Sequence, residues 1–210
     1  MDIRYLKSLD DYFCEHYSEY VRLSALEGYV MPEVVYVAAD GNIARRDSSC
    51  MRLCHQKDVA EILATFKEEL VDTDFTFNFA FVPLRDRIRD RVSKYTFAKL
   101  LPVVLGRCNE TVESAGKKLD VEPRFWQKIV KGRLYPEKNV VLALALACRM
   151  QQRDVNNLLA VCGFTLEDTS VRDIVVRYLV EQKIFNEDMR DRCLAEYKIT
   201  NLPIRKSGNT

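Results

Sequence analysis

Apolar residues near the start of the chain fall three and four apart: Ile3, Leu6, Leu9, Phe13, Tyr17 and Tyr20, with acids between them. That period belongs to a helix with one face in a core and one in water. It predicts a helix over 3–23, ended by Gly28. The pattern then changes. Val34–Ala38, Asp40-Gly41 and the run from Ile43 read as a β-hairpin, because Asp-Gly supplies the two positive-φ positions of a tight turn. Helical spacing returns with Val59, Ile62, Leu63 and Phe66, predicting a helix over about 58–70. Phe75, Phe77, Phe79 and Phe81 stand at strict period two, the mark of a strand with one aromatic face. Pro83 stops that strand, since proline cannot donate to a ladder. Aromatics on a sheet can stack bases, but the neighbours here are Asp74, Thr76 and Asn78, which favours core packing.

Residues 84–95, LRDRIRDRVSKY, alternate charge sign around Leu84, Ile88 and Val92. They read as a solvated helix face laced with local ion pairs. A phosphate-tracking arginine row is the weaker account, because Asp86 and Asp90 sit among the arginines. From Thr96 onward the pattern is helical throughout. Phe97–Leu105 is apolar at helical spacing, and Lys138–Met150 is apolar almost all round, as a helix at a domain centre would be. Further helices are predicted at Val155–Val161 with Gly163 as its terminator, at Val171–Gln182 and at Glu187–Tyr197, the last two capped by Ser170 and Asn186. The fold class expected is α+β. A small N-terminal α+β domain over 1–95, helices plus a short antiparallel sheet, precedes an all-α domain over 96–203 and a flexible tail over 204–210.

Net charge is only +1, which advertises no global attraction to a polyanion. The two halves differ, however: 13 lysines and arginines against 17 acids in residues 1–95, and 19 against 14 in residues 96–210. The excess of cations directs attention to Thr111–Pro136. There Thr111 can cap a helix running to Leu119, Asp120-Val121 makes a turn, and Glu122 opens a second helix with Pro123 at its first position, where a missing N–H costs nothing. Val121, Trp126 and Ile129 fall on the side to be buried. Arg124, Gln127, Lys128 and Lys131 fall on the other, with Arg133 and Lys138 just beyond. Between Pro123 and Lys138 these five cations meet one acid, Glu137. Such a face suits a major groove, where Arg and Lys reach guanine edges, Gln reaches adenine, and flanking cations reach phosphates.

Residues 111–136 resemble the helix-turn-helix of the Cro/phage-repressor (XRE-like) family, in which a threonine-led helix and a hydrophobic-Gly-Val-Ser turn precede a recognition helix. That helix closes in Gly, a basic residue, two further residues and Pro. The counterparts are Thr111, Leu119-Asp120-Val121-Glu122 and Gly132-Arg133-Leu134-Tyr135-Pro136. Residues 97–203 are also similar to a C-terminal helical module of bacterial proteins of poorly defined role. The similarity is carried by Trp126-Gln127-Lys128-Ile129, Pro136-Glu137-Lys138, Leu142-Ala143-Leu144-Ala145, Leu158-Leu159, Gly163-Phe164-Thr165-Leu166 and Arg177-Tyr178-Leu179-Val180. The likeness does not extend to 1–95. Three positions depart from the DNA-binding pattern. Val112 stands where a phosphate-holding Gln is common, Glu122 replaces a Ser or Thr cap, and Pro123 removes a base-reading side chain.

Other chemistry finds little support. Cys50, Cys54 and His55 with Cys14 and His16 offer zinc-type ligands, but the spacing is loose and no second tight pair exists. Seven cysteines, an odd number mostly in helical runs, suggest reduced thiols rather than a disulfide framework. Neither a nucleophile–base pairing nor a glycine-rich phosphate loop can be drawn, and paired acids such as Asp10-Asp11 and Glu68-Glu69 lie on solvated helix faces. Neither a secretory signal nor a membrane-length apolar run is visible. The expectation is a cytoplasmic, non-enzymatic bacterial regulator without cofactor or metal. It would bind duplex DNA through Arg124, Gln127, Lys128, Lys131, Arg133 and Lys138, as a homodimer whose first domain senses a ligand or dimerises. The alternative is a degenerate helix-turn-helix that docks a protein partner in signalling or phage defence.

Overall fold

The helix over Lys138–Ala147 has no wet face: each residue from Val140 to Leu146 is buried. A helix apolar on every side has to be surrounded, and its neighbours do so. The computed structural model describes residues 4–18, 34–37, 41–46, 59–71, 80–93 and 95–205. In chain order these hold α1 (Arg4–His16), β1 (Val34–Val37), β2 (Ile43–Arg46), α2 (Val59–Glu69), α3 (Leu84–Val92), α4 (Phe97–Arg107), α5 (Val112–Lys118), α6 (Pro123–Val130), α7 (Lys138–Ala147), α8 (Gln152–Val161), α9 (Val171–Glu181) and α10 (Glu187–Glu196). Helices α5, α8 and α9 pack directly on α7, while α4 lies against α5, α6 and α8. Charge pairs tie these contacts down. Arg107 on α4 meets the buried Asp154 of α8 at 2.5 Å, and Lys138 at the start of α7 meets the buried Asp173 of α9 at 2.5 Å.

The α+β expectation is overturned: the protein is all-helical, with ten helices among the described residues. Strand pairing there is confined to one local hairpin and two isolated bridges, Phe81 with Leu134 and Leu119 with Ile204. In the hairpin, Val34 opposes Arg46 and Val37 opposes Ile43, with Gly41 at φ +79° in the connection. Two strands of four residues cannot form a sheet domain without a third strand or a covering helix. Apolar residues before position 95 go instead into the helical core, where Leu9, Phe13 and Leu63 share one hydrophobic cluster with α4 to α10. The expected strand at Phe75–Phe79 and the end of the first helix at Gly28 lie outside the described residues.

Helix α1 is seated by aromatic contacts from three directions. The Phe13 ring lies 4.8 Å from Tyr17, 4.7 Å from Tyr197 and 5.7 Å from Phe66. Beside them Asp10 accepts from the Lys67 ammonium at 2.7 Å and from the Tyr197 hydroxyl at 2.9 Å, joining α1, α2 and the end of α10.

Six helices (α4, α6, α7, α8, α9 and α10) end alike, with a left-handed residue at Asn109, Gly132, Arg149, Gly163, Lys183 and Lys198. In each the next N–H turns back to the helix, for example Ile184 N–H to Leu179 O at 2.9 Å and Met150 N–H to Ala145 O at 2.9 Å. That bond satisfies a carbonyl the helix end would leave orphaned. The expected caps at Ser170 and Asn186 are present, accepting from Asp173 N–H at 3.3 Å and Met189 N–H at 3.2 Å.

Because Phe13 sits in the shared cluster, Phe13→Ala is expected to cost about 3–5 kcal/mol. Chemical denaturation should show the single unfolding transition of the whole chain moving to lower denaturant. A separate early transition that leaves the main one in place would contradict the shared core.

Candidate nucleic-acid interface

Helix α5 opens at Thr111. The Thr111 hydroxyl accepts Ser114 N–H at 3.1 Å while the Ser114 hydroxyl oxygen accepts Thr111 N–H at 2.9 Å. A reciprocal cap of this kind satisfies two orphan donors and is worth about 1 kcal/mol. The Ser114 hydroxyl also donates to Glu110 at 2.6 Å, and Glu110 pairs with Lys118 at the far end of the helix. The Lys118 hydrogen bond, helped by that from Ser114, holds the Glu110 carboxyl below the usual carboxylate range. A seven-residue helix is thereby clamped at both ends.

The chain then turns through Leu119–Glu122 into α6. Pro123 occupies the first helical position, as its fixed φ and missing N–H favour. Behind α6, Trp126 and Ile129 are buried. The Trp126 indole N–H donates to the Val112 carbonyl at 3.1 Å, so the second helix is bonded to the first turn of its predecessor. Gly116 makes that possible, because a Cβ there would lie 2.4 Å from Trp126 Nε1. At its far end α6 closes on Gly132 at φ +63°, with Gly132 N–H to Ile129 O at 2.9 Å and Arg133 N–H to Lys128 O at 2.8 Å.

Two further attachments were not legible in the sequence. Asp120 N–H donates to Pro203 O and Arg205 N–H to Lys118 O, both at 2.9 Å, so residues expected in a loose tail strap the turn. On the other flank Val82 N–H donates to Arg133 O at 3.1 Å and Tyr135 N–H to Ala80 O at 2.9 Å. Neither has a side-chain signature, since both are backbone pairings between distant segments.

The outward face of α6 carries Arg124, Gln127 and Lys131, all exposed, and Arg133 is exposed just past the end. Two of the six expected contact residues have other engagements close to hand. Arg124 Nε lies 2.5 Å from Glu122 Oε1. Lys128 is half-buried, with its ammonium 5.6 Å from the Phe81 ring centre and 5.5 Å from that of Phe125. Lys138 is not on this face at all. Its ammonium lies 2.5 Å from Asp173 and 3.4 Å from Glu167, with the side chain 21% exposed, so it serves the α7–α9 junction.

No family model, curated protein or solved structure matches the chain. What the face can do rests on its own chemistry: an exposed guanidinium, an exposed amide and an exposed ammonium in one row, with a further guanidinium at its end.

The zinc-type ligands are not assembled among the described residues, where no group of three or more His, Cys, Asp or Glu is placed to hold a metal. His16 stacks on Tyr12 at 3.9 Å, with Nδ1 2.9 Å from the Tyr12 carbonyl. Cys50, Cys54 and His55 lie outside the described residues. No described helix is long and apolar enough to cross a membrane. Burial pushes the thiols of Cys148, Cys162 and Cys193 up to about 12.

Two outcomes follow from this geometry. Gly116→Ala forces the indole to move and is expected to cost about 1–3 kcal/mol, as overpacking does. The emission of Trp126, the sole tryptophan, should shift in the folded protein, and unchanged emission and stability would contradict the keyed contact. Second, a thiol held about three pH units above its ordinary value has about a thousandfold less reactive thiolate at pH 8. Mass mapping after iodoacetamide should find Cys148, Cys162 and Cys193 unmodified in native protein and modified after denaturation. Rapid native modification would contradict their burial.

Proposed function

We propose that the α5–α6 unit is a helix-turn-helix that binds duplex DNA, as part of a bacterial regulator. The observation carrying this reading is the division of α6. Trp126 and Ile129 fix one side in the core, while Arg124, Gln127 and Lys131 occupy the one wet side. A helix so anchored can enter a major groove without rearranging, Arg and Gln meeting base edges while Lys131 and Arg133 meet phosphates. The Glu122–Arg124 pair is exposed and worth at most about 1 kcal/mol, so a phosphate or guanine can displace it. One such helix reads only three or four bases, which favours a homodimer on two half-sites. Residues 1–95 would then supply sensing or dimerisation.

Arg124→Glu combined with Lys131→Glu is expected to weaken retention of duplex DNA by more than about tenfold at ~50 mM salt. The slope of log affinity against log salt should fall by about 2, and the melting temperature should hold. Retention equal to that of the unmodified protein would overturn the reading, as would no retention by either at that salt.

A second reading has its own support: Arg124 and Lys128 are already engaged by Glu122, Phe81 and Phe125, as in a unit that docks a protein. Recovery of a stoichiometric protein partner with no DNA retained at ~50 mM salt would decide for it.

A further inference from the structure

Helix α3 buries none of its own apolar side chains. Leu84, Ile88 and Val92 are 67%, 58% and 86% exposed, and they stand four residues apart. An isolated nine-residue helix is marginal in water, and most helical stability comes from packing an apolar face. Here that face is turned outward. What fastens α3 is polar: the Lys99 ammonium donates to the Asp90 carbonyl at 3.0 Å and to the Ser93 carbonyl at 2.5 Å, closing the C-terminus. The Tyr135 hydroxyl reaches Asp86 at 3.3 Å. Side chains at i, i+4 and i+8 form a ridge of the kind that packs into the groove of another helix.

Beside this ridge runs an open groove of about 1020 Å³, between α3, the start of α4 and the turn after α6. Its charged walls are Arg87, Arg89, Lys99, Lys131 and Arg133 against Asp90, five cations to one acid. Three occupants can be weighed on that chemistry. A second copy of this chain would bring the same cations and be repelled. Duplex DNA would satisfy the cations but leave the apolar ridge against phosphate and water. A helix with an apolar ridge flanked by carboxylates satisfies both. We infer that the α3 ridge and its basic groove dock an acidic amphipathic helix of a partner protein. This inference does not depend on whether α6 binds DNA.

The test uses the full chain and a displayed library of helical peptides of ~16 residues, with leucine fixed on one face and both flanks randomised. Enriched peptides should carry Asp and Glu on the flanks. They should bind Ile88→Glu and, separately, Arg89→Glu at least about tenfold more weakly than the unmodified protein. Both positions are exposed, so both variants should keep the melting temperature and their retention of duplex DNA. Enrichment of basic or neutral flanks, no enrichment at all, or equal binding by both variants would overturn the inference. So would displacement of the peptides by a short DNA duplex at concentrations that leave α6 unoccupied in the Arg124→Glu/Lys131→Glu variant.

Discussion

The rest of the fold is arranged around one constraint, the burial of α7 on every side. A helix without a polar face cannot sit at a surface, and covering it takes neighbours on all flanks. Helices α5, α8 and α9 supply them, and the Arg107–Asp154 and Lys138–Asp173 pairs tie those layers at places where a carboxylate is buried. Each buried acid has a cation within hydrogen-bond distance, as burial of charge demands. With α5 fixed on α7, a single further link, the indole of Trp126 over Gly116, orients α6. The outward row on α6 is therefore a consequence of how the core is closed.

The same frame gives the protein two exposed surfaces of different character. The wet side of α6 is polar and basic, with aromatic Phe81 and Phe125 beneath Lys128. The α3 side is apolar with basic walls, and Lys131 and Arg133 belong to the edge of both. Occupation of one surface would be felt electrostatically at the other through those two residues, whichever ligand each takes.

Legibility in the sequence followed the range of the interactions. Period 3.6 located α1, α2 and α4 to α10, and side-chain caps within three residues located Thr111, Ser170 and Asn186. Helix ends at Gly132 and Gly163 were visible as glycine. Ends at Asn109, Arg149, Lys183 and Lys198 were not, because tertiary packing imposes the left-handed conformation on residues that signal nothing. The fold class was misread because alternating apolar residues before position 95 were assigned to a sheet, whereas Leu9, Phe13 and Leu63 join the helical core. At the candidate site, spacing placed Arg124, Gln127 and Lys131 on one face. It could not show Lys138 turned to Asp173, nor Glu122 and Phe81 beside Arg124 and Lys128. Those are contacts between distant segments or a matter of rotamer. The apolar residues of α3 were expected to anchor it, and their exposure is visible only in three dimensions.

The central claim is that α6 meets DNA with its outward row while its inner side stays locked. Titration of isotope-labelled full-length protein with a short duplex at low salt, followed by amide chemical shifts, tests this most directly. Perturbations should gather at residues 122–133 and leave α7 and α9 still, with the Trp126 indole resonance unmoved. A duplex that perturbs nothing between 122 and 133, or that acts only on residues remote from α6, would contradict it.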